Sequence, residues 1–79
     1  MPKRVPYGFC GLKREIVFVG DIVRNRFGLD NPYYVLEIYK CGYSYYFRIW
    51  RESKGQIWLC GNDVEYVCHG YEYESLLTD

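Results

Sequence analysis

Four cysteines, Cys10, Cys41, Cys60 and Cys68, and one histidine, His69, are the side chains of this 79-residue chain best suited to ligating a metal or activating a nucleophile. Structural zinc sites draw their ligands in close pairs of the Cys-x₂₋₄-Cys kind. Here successive cysteines lie 31, 19 and 8 positions apart, a spacing that argues for four reduced thiols and no metal. Cys68 and His69 are adjacent near the end of the last expected strand. Neighbouring strand residues point to opposite faces, so the two are badly placed to act as a thiolate–imidazolium pair. No phosphate loop, dinucleotide fingerprint or paired-histidine motif is present. The reading is a chain with no catalytic residues and no cofactor, not an enzyme.

A second kind of chemistry, recognition through rings, is written far more heavily. Ten Tyr, four Phe and two Trp make up 20% of the residues. One short domain buries only roughly 60% of the surface its unfolded chain exposes, so it needs dense packing, and aromatic rings supply it. The segment "YYFRIW", Tyr45 to Trp50, nonetheless carries more rings than one face of a strand can bury. Strand alternation puts Tyr45, Phe47 and Ile49 on one side and Tyr46, Arg48 and Trp50 on the other.

The elements that would hold these rings are short strands. Residues 1–15, broken by Pro2, Pro6, Gly8 and Gly11, read as an irregular N-terminal arm. "EIVFVGDIVRN" (15–25) reads as two extended pieces divided at Gly20-Asp21, and "RFGLDNP" (26–32) as a loop. "YYVLEIYK" (33–40) and "YYFRIWRE" (45–52) form a hairpin through "CGYS", "QIWLC" (56–60) a shorter strand, and "GNDVEYV" (61–67) one 3₁₀ turn and a last strand. No stretch shows a helical period. The expected fold is all-β, a small barrel of about five antiparallel strands over 16–68, followed by an acidic C-terminal tail at 69–79.

The run "VGDIVRNRFG", then "YYVLEIY", then "GQIWLCGNDVEYV" is similar to SH3-like barrels, of the kind found in small bacteriophage accessory proteins, across roughly Val19 to Val67. The resemblance implies a viral protein with that barrel. Proline-rich ligands are not implied, because the Trp-Trp pair and acidic loop of peptide-binding SH3 domains are missing.

The charged residues orient the hairpin. Glu37 assigns Tyr33, Val35 and Tyr39 to the outer face of its strand, and Arg48 assigns Tyr46 and Trp50 to the outer face of the next. The expected core is then Val23, Leu36, Ile38, Phe47, Ile49, Ile57, Leu59 and Val67. The expected protein-binding residues are Tyr33, Tyr39, Tyr46, Arg48 and Trp50, since Tyr, Trp and Arg dominate the energetic centres of interfaces. A host or virion protein is the expected partner. Nucleic acid is the alternative, because Arg48, Arg51 and Lys54 lie among rings that could stack bases. Ten basic and ten acidic residues cancel, which disfavours it. The balance is uneven along the chain: six basic and two acidic side chains fall in residues 1–26, five acidic and none basic in 61–79. No apolar run is long enough for a membrane span, and the first residues lack the apolar core of a secretory signal, so the expected location is the cytoplasm, that of the host if the protein is viral.

Overall fold

The computed structural model describes residues 2–28 and 32–72. Eight strands and one 3₁₀ turn account for most of them: β1 Lys3–Val5, β2 Tyr7–Cys10, β3 Glu15–Phe18, β4 Ile22–Asn25, β5 Tyr33–Cys41, β6 Ser44–Arg51, β7 Gly55–Cys60, the 3₁₀ turn Gly61–Asp63, and β8 Val64–Cys68. All pairings are antiparallel. The small all-β fold is therefore as the sequence indicates, and the 3₁₀ turn falls where it was expected.

β5 is the organising strand. One edge pairs with β6 along nearly its whole length, and β6 pairs with β7. The other edge is shared, with β4 against Tyr33 and Tyr34 and β1 against Ile38 to Lys40, and β8 continues from β4. Gly42 holds a φ of +63° at the first position of the two-residue β5–β6 turn, a position that favours glycine in tight hairpins.

The N-terminal residues are not an irregular arm. β1 completes the large sheet, and β2 pairs with β3 in a hairpin of its own. Pro6 interrupts only one position, and β2 crosses the inner face of β5 and β6. At Gly8 a β-carbon would come within 2.7 Å of the Tyr45 ring and 2.9 Å of Ile38, so a residue that reads as a breaker is there to let two layers touch.

Between the layers lies a core of Cys10, Val17, Val23, Tyr33, Val35, Ile38, Phe47, Ile49 and Val64, with Tyr45, Ile57 and Leu59 packed against it. Val23, Ile38, Phe47 and Ile49 take the places expected of them. Four positions do not. Tyr33 and Val35, expected outside, are only 2% and 1% exposed. Leu36 is half-buried, and Val67 is exposed. On β5 the reason is a bulge, whereas Val67 lies outside by plain alternation from the buried Val64 and the core-packed Tyr66. The β5–β6 register shifts between Val35 and Glu37, so that Leu36 is the extra residue of that bulge. A bulge inverts the alternation beyond it. Tyr33 and Val35 therefore share the inner face with Ile38, and Arg51 covers the Tyr33 ring at 4.7 Å from its centroid.

Candidate interaction surface

The outer face of β5, β6 and β7 is built in rungs. The first sets Tyr34 beside Trp50 and Trp50 beside Gln56; the second sets Glu37 beside Arg48 and Arg48 beside Trp58; the third sets Tyr39 beside Tyr46 and Tyr46 beside Cys60. The Tyr34 and Trp50 rings lie 6.3 Å apart, and the Tyr39 and Trp58 rings 5.5 Å apart, distances at which tilted aromatic pairs attract.

One charged group is embedded among these rings. The Arg48 guanidinium donates to the Glu37 carboxylate and, at 2.6 Å, to the Gln56 amide oxygen; the Tyr39 hydroxyl donates to the other Glu37 oxygen. Arg4, from β1, approaches that oxygen to 3.8 Å. The Glu37 side chain is 14% exposed and that of Arg48 27%. Partly desolvated charges of this kind depend on their partners, and truncating one leaves the other uncompensated. The pair thus locks β5 to β6 and holds the Tyr39 ring in place.

Beside it, Pro2, Tyr39, Cys41, Tyr46 and Trp58 line a shallow apolar depression of about 620 Å³. Trp58 is 56% exposed and Tyr46 41%.

Of the five residues expected to form the surface, Tyr39, Tyr46, Arg48 and Trp50 are brought together on this face, and Tyr33 is not. Tyr34 takes its place, as the Leu36 bulge requires. Sequence reasoning missed Trp58. Its signal was available in the hairpin register, since a turn at 53–55 already sets Trp58 opposite the outward-facing Trp50; the turn in fact spans 52–54, which sets it opposite the equally outward-facing Arg48.

A second polar cluster lies where β8 ends. Asp21, 5% exposed, accepts the Phe18 N–H with one oxygen at 2.9 Å and faces His69 Nδ1 with the other at 3.2 Å. His69 stacks on Tyr71 at 5.4 Å and meets Tyr66 edge-on at 5.9 Å. Burial, then the Glu72 and Asp21 carboxylates, push the Cys68 thiol up from its ordinary value, which keeps it protonated near neutral pH and a poor nucleophile. Burial and the nearby Asp21 likewise raise the Tyr66 phenol. Asp21 was invisible as a partner of His69 because 48 positions separate them.

Cys10 is buried, Cys41 exposed, and Cys60 and Cys68 half-buried, all as free thiols. Among the described residues no three groups cluster as metal ligands, and no helix is long and apolar enough to cross a membrane. No protein-family model matches the chain, and neither a curated protein nor a solved structure matches it.

Proposed function

We propose that this chain is a non-enzymatic protein-binding module, an accessory protein of the viral kind its SH3-like resemblance implies, which docks on a host or virion protein in the host cytoplasm. One observation carries the reading. The outer face of β5–β7 sets Tyr34, Tyr39, Tyr46, Trp50 and Trp58 around a partly desolvated Glu37–Arg48 pair. Interface hot spots combine these residue types: rings that bury much area at little entropic cost, around a charge already held in place. Nucleic acid is a weaker fit, since Glu37 neutralises the arginine at the centre of the face and phosphate binding requires a free cation there.

The test is capture from host extract on the immobilised chain, identification by mass spectrometry, and titration of the purified partner. Trp58→Ala should weaken binding by at least about 2 kcal/mol, roughly thirtyfold, with the circular dichroism unchanged. Salt should weaken it only slightly. Equal affinity of Trp50→Ala, Trp58→Ala and the parent would place the site elsewhere, and a steep salt slope would transfer the reading to nucleic acid.

A further inference from the structure

Among the described residues five strands have a neighbour on one side only: β1, β2, β3, β7 and β8. A free edge presents unpaired N–H and C=O groups, and folded proteins blunt it with charge, proline, a bulge or a covering segment. Four of the five are blunted. β1 carries Lys3 and Arg4 between Pro2 and Pro6, β3 carries Glu15, and β8 carries Glu65. β2 starts directly after Pro6 and runs onto the 3₁₀ turn, its Phe9 carbonyl oxygen only 2.8 Å from where a Gly61 β-carbon would stand. β7 has none of these devices. Its six residues, "GQIWLC", hold no charge and no proline, and its register with β6 runs unbroken from Gly55 to Cys60. It is also apolar towards both faces, with Ile57 and Leu59 half-buried at the margin of the core and Trp58 56% exposed on the outside.

We infer that β7 pairs with β7 of a second copy of this chain, antiparallel about a two-fold axis through Trp58, so that the two large sheets become one. What an edge accepts is fixed by its backbone: a strand, whose own groups complete the ladder. What makes that strand a second β7 is the self-complementarity of the segment. An axis normal to the sheet keeps each side chain on its own face, so the centre of pairing falls on a residue and not between two. Centred on Trp58, it sets Ile57 opposite Leu59 on the inner face, Gln56 opposite Cys60 on the outer face, and the two Trp58 side chains opposite each other. On the inner face apolar meets apolar twice, and the half-buried Ile57 and Leu59 are covered in both copies. Charges of both signs stand beyond the ends of β7, with Arg51, Glu52 and Lys54 at one and Arg26 and Asp63 at the other, so no row of like charge opposes the pairing. One strand pair buries less than the roughly 800 Å² per partner of a standard interface. The dimer is accordingly weak and concentration-dependent. The inference goes beyond the reading of the β5–β7 face, and its failure would leave that reading intact.

Sedimentation equilibrium of the full chain over about 1–500 μM should show a monomer–dimer equilibrium in the micromolar range. Because Trp58 sits on the axis, a charge placed there meets itself. Trp58→Lys and Trp58→Glu should each weaken the dimer at least about tenfold with circular dichroism unchanged, and an equimolar mixture of the two should associate more tightly than either alone. The register has its own test. In a Cys41→Ser background, Gln56→Cys should oxidise in air to a dimer linked to Cys60 of the other copy; within one chain the two positions are four residues of strand, roughly 13 Å, apart, too far to bridge. A chain monomeric throughout the range overturns the proposal. So does a dimer indifferent to both Trp58 variants, a mixture no tighter than its components, or a disulfide that maps away from positions 56 and 60. A monomer whose β7 amides are protected from hydrogen exchange gives the edge to another segment of the same chain, and protection that arises only on adding a captured partner gives it to that partner; either result also overturns the pairing of copies.

Discussion

Cys10 shows how placement alone decides what a side chain can do. It is 2% exposed at the end of β2, and burial, reinforced by the Glu15 carboxylate, pushes its thiol up from 9.0 to about 11. A thiol whose folded pKa lies above its unfolded value stays protonated while the unfolded chain ionises, so the unfolded state binds fewer protons between those values. Stability then falls as pH rises through the window from 9.0 to about 11, by about 2–3 kcal/mol for a shift of that size. Tyrosines and lysines titrate in the same range, so the measurement is a difference. Denaturant midpoints of the parent should fall more steeply from pH 8.5 to 11 than those of Cys10→Ala. Parallel slopes would mean the thiol ionises freely in the fold. At neutral pH the exposed Cys41 should react with a thiol reagent at once and Cys10 only on unfolding.

At the scale of elements the fold turns on two places where a strand departs from regularity. Gly8 allows β2 to lie against Tyr45, Ile38 and Phe47, the last 3.2 Å from where a β-carbon would stand. Gly8→Ala should therefore force both layers apart and cost about 1–3 kcal/mol, read as a lowered thermal midpoint. An unchanged midpoint would show the layers to be looser than their distances imply. The hairpin β5–β6, its turn and the inward set Phe47 and Ile49 were legible in the sequence because a charged residue marks the outer face of each strand. Tyr33 and Val35 were not, because both lie on the N-terminal side of a bulge and no residue type announces one; Val67 was misplaced because Val64, its opposite in parity, is the residue that β8 turns inward. Leu36 is an ordinary strand residue, and it becomes the extra one only through pairing with a strand that lacks a counterpart. β2 was hidden for a related reason. Pro6, Gly8 and Gly11 punctuate any local reading, and the use of Gly8 appears only when the opposite layer is in place. The candidate surface was legible to the same extent as its strands: four of its expected members followed from alternation, while Tyr34 replaced Tyr33 through the bulge and Trp58 needed the register of a third strand.

The molecule as a whole is tied together by strands from distant parts of the sequence. Opposite charges separated along the chain meet across β4 and β8, where Arg24 pairs with Glu65 at 3.1 Å and the Arg26 N–H donates to the Asp63 carbonyl. Exposed pairs of this kind contribute little to stability; the larger effect is that β4, from the first third of the chain, and β8, from its last third, lie in the same sheet. β2 and β3 then cover what that sheet leaves open, since Cys10 and Val17 belong to the core and the Gly11 N–H donates to the Gly61 carbonyl beside the 3₁₀ turn. Residues 2–14 are thus part of the folding unit, although residues 1–15 read in sequence as an arm before a self-sufficient barrel. Deleting them removes β1 from the edge of β5, leaves β3 without a partner, and uncovers Phe47 and Ile38, side chains that are 0% exposed in the whole chain. A domain this small has only about 5 kcal/mol or so of net stability to lose. The truncated chain should show no cooperative thermal transition and no protected β5–β6 amides in hydrogen exchange. Retention of a sharp melt by residues 15–79 would instead establish that β4 to β8 close a core unaided, and that the hairpin is an addition to the fold.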